Sequence, residues 1–240
     1  MIAARLSRLA HKWFALAVGV QFLLWAASGF YMVVFDVDFI HGDQLVRNLK
    51  PALDLSRQFA SFDSLRRGRS DITAIVLRAL PDDGSAVYEI ATAAGIELVD
   101  ARTGRRLSPL PQARVIELAR AYYAGSGDLA HAVLIANDAD KPTELQGQSL
   151  PLWRVDFDDW MKTSLYLRPD SGKLATRRHR FWRWYDFLWS LHIMDYRERS
   201  DVNNWLLRSA SVLGVTTVIT GLWLTYFSFG FFQHRRRKRA

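Results

Sequence analysis

The chain has 240 residues, of which 50% are hydrophobic and 13% are aromatic, including nine Trp. This composition excludes a disordered chain, because disordered segments are poor in aromatic and aliphatic residues, and the length suits one or two domains of about 100–200 residues each. Cysteine is absent, which excludes disulfides, cysteine-ligated iron–sulfur clusters, thiol nucleophiles and haem attachment through a CxxCH motif.

The formal net charge of +8 is concentrated at the two ends of the chain. Residues 1–12 carry three basic and no acidic residues, and residues 235–240 carry five basic and no acidic residues. The remaining 24 basic residues equal the 24 acidic ones in number. A nucleic-acid-binding protein would carry its basic face within the folded domain, so the sequence predicts no nucleic-acid partner.

Two uncharged segments, 13–35 and 209–232, lie beside these basic ends. Each exceeds the roughly 20 residues that a helix needs to cross a ~30 Å hydrocarbon core. Lys and Arg close to a span favour the cytoplasmic side of a membrane. The sequence therefore predicts transmembrane helices over 13–35 and 205–232, with 1–12 as a cytoplasmic N-terminus and 233–240 as a basic cytoplasmic tail.

This topology predicts a protein of the bacterial inner (cytoplasmic) membrane, with membrane lipid as a partner and residues 36–177 as a periplasmic domain. A cleaved signal peptide is the alternative interpretation of the first span, but the hydrophobic region of such a peptide is about 7–15 residues long. Trp25, Tyr31 and Phe35 favour an anchored interfacial end.

The central region reads as two groups of strands separated by a helix that opens at Pro111. The predicted strands are 72–80, 86–92, 96–101, 131–136, 151–157 and 163–168. Each group is followed by a turn with Asp and a Thr/Ser-Gly pair, VDARTGRRL at 99–107 and LRPDSGKL at 167–174. The order of elements predicts an α+β fold, and the paired turns predict a duplication.

These strand-and-turn segments resemble the PepSY family. The resemblance rests on Tyr88-Glu89-Ile90 with 99–104, Trp153-Arg154-Val155 with 167–172, His11-Lys12-Trp13, Ser28-Gly29, Leu191-His192 and 220–223. It implies a PepSY-like domain of antiparallel strands with a packed helix, inserted between two transmembrane helices. Relatives in the PepSY-associated transmembrane family include haem b-containing reductases of siderophore-bound iron, so the resemblance also implies haem b and electron transfer.

Histidines at the predicted membrane boundaries are the candidate haem ligands, because haem iron can take two axial imidazoles from facing helices. They are His11, His41, His192 and His234. His11 with His234 would serve the cytoplasmic side, and His41 with His192 the periplasmic side. His11 and His192 also match the family pattern and are the candidate metal ligands. Arg180, Arg183 and Arg208 are the candidate partners of haem propionates.

Residues 178–199 predict an amphipathic helix that is rich in aromatic and basic side chains. Its composition suits the headgroup layer of a membrane, and the alternative is that it walls a haem. His192 lies on one face of this helix with Phe181, Tyr185 and Leu188. If His192 binds iron, its second ring nitrogen needs an acceptor, and Asp195 or Tyr196 is expected to supply it.

No catalytic motif is recognisable elsewhere in the sequence. Asp156, Asp158 and Asp159 are interpreted as a solvated hairpin rather than as a metal site, and His131 and His179 as structural. Two functions follow: a membrane oxidoreductase component that transfers electrons to an iron complex, or a non-enzymatic periplasmic module that binds a peptide or partner protein.

Small residues in the second span suggest a partner within the membrane. Gly214, Thr217 and Gly221 share a helix face, and small faces let helices approach closely in lipid. Gln21 in the first span carries an amide that needs a polar partner. These features predict a homodimer or a complex with another membrane protein.

Overall fold

A computed structural model describes residues 2–67 and 69–228, with the side chains of 2–11, 14 and 223–228 outside the description. The chain divides into two compact units. The terminal unit contains the described residues up to Phe35 and from Tyr185 onward, and the central unit is Asp36–Trp184. Each unit is described by itself.

The terminal unit is formed by long helices from both ends of the chain. Helix α1 is Ile2–Val34 and helix α6 is Trp205–Ser228, and residues from Tyr185 of helix α5, Arg180–Ile193, belong to the same unit. Ala15–Val34 and Trp205–Leu222 are each long and apolar enough to cross a membrane. The predicted end of the second span at 229–232 and the tail at 233–240 lie outside the described residues.

The face of α6 that carries small residues packs inside the chain. On α6, the less exposed positions include Ala210, Gly214 and Thr217, which follow the spacing of one helix face. A Cβ atom at Gly214 would lie 3.3 Å from the ring of Phe22 on α1. Gly214 thus faces a side chain of its own chain, and the expected partner within the membrane stays a prediction.

Helix α5 ends earlier than the predicted 178–199. It stops at Ile193 because Met194 adopts a left-handed conformation, with φ of 54°, a usual way to terminate a helix. The carboxylate of Asp195 then accepts hydrogen bonds from the backbone N–H groups of Arg197, Glu198, Ser200 and Asp201. Asn204 caps α6 by accepting from the N–H of Leu207 at 2.8 Å.

The central unit contains two antiparallel sheets and confirms the predicted α+β class. Strands β1 Ile72–Ala79, β2 Ala86–Thr92 and β3 Gly95–Asp100 form the first sheet in the order β1-β2-β3. Strands β4 Asp128–Ile135, β5 Leu152–Asp158, β6 Ser164–Leu167 and β7 Leu174–Arg178 form the second in the order β4-β5-β6-β7. Strand β7 was not predicted.

Short helices complete this unit. Helix α4, Gln112–Tyr122, begins directly after Pro111 as predicted. Helices α2, Val37–His41, and α3, Phe62–Arg66, precede the first sheet. Single 3₁₀ turns cover Asp43–Leu45, Asp138–Asp140 and Thr143–Leu145.

One hydrophobic core joins α4 to both sheets. Val115 and Leu118 of α4 are fully buried. The same cluster contains Val87 and Leu98 from the first sheet and Val155, Phe157, Leu165 and Leu167 from the second. Burial of such aliphatic side chains contributes about 1.5–3 kcal/mol each, so the two sheets form a single folded body.

The two turns that suggested a duplication share their backbone hydrogen bonds. The N–H of Gly104 donates to Asp100 O at 2.9 Å, and the N–H of Gly172 donates to Arg168 O at 2.8 Å. Both glycines have positive φ, 71° and 68°, which glycine adopts without strain. The similarity of these turns supports the predicted duplication, which stays a prediction for the whole unit.

Candidate functional site

The most specific polar arrangement in the terminal unit surrounds His192, in the last turn of α5. Its ring Nδ1 lies 2.9 Å from the hydroxyl oxygen of Ser28 on α1. Its carbonyl oxygen accepts a 2.8 Å hydrogen bond from the indole N–H of Trp25. Carbonyls in the last turn of a helix lack intrahelical partners, so Trp25 satisfies an acceptor that α5 leaves open. Two side chains one turn apart on α1 thus fix both the backbone and the ring of His192.

The contact with Ser28 favours one tautomer of the imidazole. Ser28 is fully buried, and its hydroxyl oxygen also lies 2.8 Å from the carbonyl oxygen of Leu24. A serine hydroxyl has one proton to donate. When that proton goes to Leu24, the oxygen accepts from an N–H at Nδ1 of His192, and the lone pair of the ring lies on Nε2. No described residue hydrogen-bonds Nε2 of His192.

Aromatic rings and the α1 backbone enclose this imidazole. Trp189 stacks on His192 with ring centroids 6.4 Å apart and planes inclined by 14°. Tyr185 stacks in the same way on Trp189, at 6.4 Å and 7°. A Cβ atom at Gly29 would lie 3.8 Å from Cε1 of His192. A neutral imidazole whose second nitrogen is hydrogen-bonded is the form in which histidine binds metals.

One nitrogen atom, Nε2 of His192, is arranged so that it could bind a haem iron. His11 precedes Ser28 by 17 residues on the same helix, a separation of about 25 Å at ~1.5 Å per residue. His11 and His192 therefore cannot bind one iron. Among the side chains described for the terminal unit, His192 is the one histidine.

The other predicted ligands belong to the central unit or lie outside the described side chains. His41 is the last residue of α2 in the central unit, and its ring centroid is 5.1 Å from that of Trp182. The side chain of His11, and His234 altogether, lie outside the described residues. Arg208, in the first turn of α6, is exposed, and it remains a candidate partner of a propionate.

Arg183 is held in an ion pair of the central unit rather than free for a propionate. Its Nε lies 2.7 Å from Oε2 of Glu144, and its Nη2 donates to Ser164. Burial raises the pKa of Glu144, but hydrogen bonds from Arg183 and Tyr166 outweigh burial and hold that pKa below its usual value. Burial raises the pKa of Tyr166, which donates its O–H to Glu144.

The start of α5 packs within the central unit, which corrects part of the interfacial interpretation. Arg177 is paired with Asp43 and donates to the carbonyl oxygen of His41 at 2.8 Å. The ring of Phe181 packs against that of Phe39 with centroids 5.1 Å apart. Headgroup contact was expected for the basic side chains of residues 178–199, but Arg183, and Arg177 just before this segment, have partners inside the domain.

The other two described histidines, His131 and His179, make contacts within the central unit. His179 is fully buried and donates from Nε2 to the carbonyl oxygen of Ile40 at 2.9 Å. Burial lowers the pKa of His179, so its ring stays neutral. His131, whose side chain is 59% exposed, lies 3.1 Å from a carboxylate oxygen of Asp156.

The acidic cluster was interpreted as a solvated hairpin, but only Asp158 is well exposed, with 68% of its side chain accessible, whereas Asp156 and Asp159 are hydrogen-bonded within the central unit. Asp159 accepts hydrogen bonds from the hydroxyls of Tyr123 and Thr163, at 2.7 and 2.6 Å. Burial and the hydrogen bond to Asp159 raise the pKa of Tyr123 to about 12. The carboxylate of Asp156 accepts hydrogen bonds from Arg154 and Ser164. Within the described part of the chain, no group of three or more His, Asp and Glu is arranged to hold a metal ion.

The expected acceptor for the second ring nitrogen of His192 was wrong. Asp195 or Tyr196 was expected to take this role. The carboxylate of Asp195 is occupied by backbone N–H groups of the loop before α6, and Tyr196 is 54% exposed. Ser28 lies against Nδ1 instead, whereas Trp25 donates to the backbone carbonyl oxygen of His192. Their spacing of three residues on one face of the first span was the signal available in the sequence.

Comparison with protein-family models, with curated proteins and with solved structures gave no match for this chain.

Proposed function

We propose that this is a membrane protein of the PepSY-associated type in which α1 and α6 span the bilayer and His192 is an axial ligand of haem b. The haem would serve electron transfer toward an iron complex on the extracytoplasmic side, where the central unit lies. The observation that carries this proposal is the 2.9 Å contact between Ser28 and Nδ1 of His192.

The surface of the two long helices supports insertion in a membrane. Leu23 and Val33 on α1 are 69% and 85% exposed, and Ile219 and Leu222 on α6 are 60% and 66% exposed. Exposed apolar surface costs about 25 cal/mol per Å² in water, a cost that lipid removes. The basic residues at 1–12 and 235–240 support a cytoplasmic location for both ends.

The residues around His192 have separable tasks in this proposal. Ser28 holds the proton on Nδ1 and so keeps Nε2 available to a metal. Trp25 fixes the backbone that carries the ring, and Trp189 provides a flat apolar wall beside it. Haem, when bound, supplies an iron that accepts and releases one electron. Arg208 remains available to pair with a propionate.

The segments that carry the family resemblance meet in space, which also supports the proposal. Ser28-Gly29 and Leu191-His192 are far apart in the sequence, yet Ser28 contacts the ring of His192. Gly29 leaves room for Cε1 of the same ring. A shared site would give both segments a common reason to recur in the PepSY-associated family.

The haem content of the purified chain tests this proposal. The full-length protein is expressed with added haem precursor, purified in detergent and assayed by pyridine haemochrome and by dithionite reduction. We expect bound haem b that is reducible by dithionite, at half or one equivalent per chain. A colourless protein after haem supplementation would overturn the electron-transfer proposal and favour the second candidate, a binding module. The observation in favour of that candidate is a basic groove in the central unit.

A further inference from the structure

A groove of about 550 Å³ opens on the central unit beside the end of α4 and the start of β7. Its lining combines apolar side chains with polar, mainly basic ones. The groove is lined by Val46, Leu49, Leu174, Asp43, Arg47, Asn48, Tyr122, Lys173 and Arg177. Its position is fixed by backbone contacts, since the N–H of Arg47 donates to Tyr122 O at 2.8 Å.

The cations of this groove exceed its carboxylates. Arg177 is paired with Asp43, so these two charges compensate each other. Lys173 and Arg78 share one carboxylate, that of Glu89, at 2.6 and 2.9 Å, which leaves one positive charge uncompensated.

Arg47 adds a second uncompensated charge. Its guanidinium is exposed and makes one long contact, 3.4 Å from Nη1 to the carbonyl oxygen of Ala121. Arg47 thus faces the groove without an acidic partner among the described residues, and Lys173 shares its carboxylate, that of Glu89, with Arg78.

Tyr122 places a hydroxyl donor in the same groove. Burial raises the pKa of Tyr122, and its oxygen accepts a hydrogen bond from the backbone of Leu174. The hydroxyl therefore stays protonated at neutral pH, and its proton is available for a ligand. Val46, Leu49 and Leu174 are the apolar residues of the lining, and Leu49 is 38% exposed.

We infer that this groove binds a carboxylate that is attached to an apolar body. Arg47 and Lys173 would pair with the carboxylate, Tyr122 would donate a hydrogen bond to it, and the apolar residues of the lining would cover the body. Charge-assisted hydrogen bonds of this kind are about twice as strong as neutral ones. A small organic acid and the C-terminus of a peptide share this chemistry. The inference is independent of haem.

Calorimetric titration of the full-length protein in lipid nanodiscs tests the inference. The probes are N-acetylleucine and its neutral isostere, N-acetylleucinamide. We expect the acid to bind at least tenfold more tightly than the amide, a difference of about 1.4 kcal/mol in binding free energy. Arg47→Gln should weaken binding of the acid at least tenfold. Arg105→Gln, at an exposed position of the turn after β3, should leave it unchanged.

Two further arms identify the source and exclude a general anion patch. Ala-Ala-Leu with a free C-terminus binding more tightly than N-acetylleucine would support a peptide ligand, and equal binding would support a small acid. Equal affinity for the acid and the amide would overturn the inference. So would displacement of the acid by an equal concentration of inorganic phosphate, or unchanged binding in Arg47→Gln. None of these outcomes depends on haem, so failure here is distinguishable from failure of the proposed function.

Discussion

Ser28 and His192 are separated by 164 positions in the sequence, yet the hydroxyl oxygen of one lies 2.9 Å from Nδ1 of the other. The contact joins α1, at the start of the chain, to α5, near its end. It fixes the orientation of an imidazole beside two helices that are long and apolar enough to span a membrane. Loss of this contact should therefore change both stability and the chemistry of the ring.

Replacement of Ser28 by Ala should lower the free energy of unfolding of the terminal unit by about 1–3 kcal/mol, the usual cost of leaving a buried polar group without its partner. It should also remove the preference for a proton on Nδ1. Thermal unfolding in detergent measures the first effect, and ¹⁵N NMR of labelled histidine measures the second.

Ser211→Ala is the matched control, because Ser211 lies at an exposed position of α6. It should leave the melting temperature and the histidine tautomer as in the wild type. A Ser28→Ala variant with an unchanged ¹⁵N spectrum would show that Ser28 does not set the tautomer of His192.

Gly214→Leu should separate α1 from α6 within one chain. A Cβ atom at this position would lie 3.3 Å from the ring of Phe22. A larger side chain would therefore force Phe22 to move, and overpacking of this kind costs about 1–3 kcal/mol. The melting temperature in detergent should fall. Val215→Leu, at a 60% exposed position, should have little effect. Equal melting temperatures for the two variants would contradict packing of α6 through Gly214.

Glu144→Gln should lower the free energy of unfolding of the central unit at neutral pH, and the loss should be smaller at acidic pH. The folded-state pKa of Glu144 lies below its usual value, which is about 4.3 for an unfolded chain. The stabilisation is therefore complete above pH 4.3 and is lost as the pH falls through the folded-state pKa. In urea denaturation, the variant's free energy of unfolding should be about 1.5–3 kcal/mol below that of the wild type at pH 7. This difference should shrink toward pH 3.

Asp138→Asn provides the comparison for Glu144, because the side chain of Asp138 is 92% exposed. Its free energy of unfolding should match that of the wild type at both pH values. A deficit for Glu144→Gln that is the same at pH 7 and pH 3 would rule out the carboxylate charge as its source.

The sequence predicted most of the regular structure because its signals are local. The strand at 86–92 has the predicted bounds, and α4 begins directly after Pro111. Strand β7 was missed because Leu174–Arg178 contains three charged or polar side chains among five residues and no alternating apolar pattern. It becomes a strand by pairing with β6, which is a tertiary effect.

The surroundings of His192 could be predicted only in part. The histidine itself was a candidate, but its contact with Ser28 spans 164 positions, which no local pattern reveals. Asp195 was the closer acceptor in sequence, yet the N–H groups of its own loop occupy its carboxylate. The ion pair of Arg183 with Glu144 likewise joins residues 39 positions apart.

The reduced-minus-oxidised visible spectrum of His192→Ala, compared with those of the wild type and His131→Ala, tests the central claim most directly. His131 is an exposed histidine on β4, so its replacement controls for the loss of any imidazole. We expect the wild type and His131→Ala to show the same haem b bands and His192→Ala to lose or shift them. Identical haem content and identical spectra in all three proteins would contradict the assignment of His192 as a haem ligand.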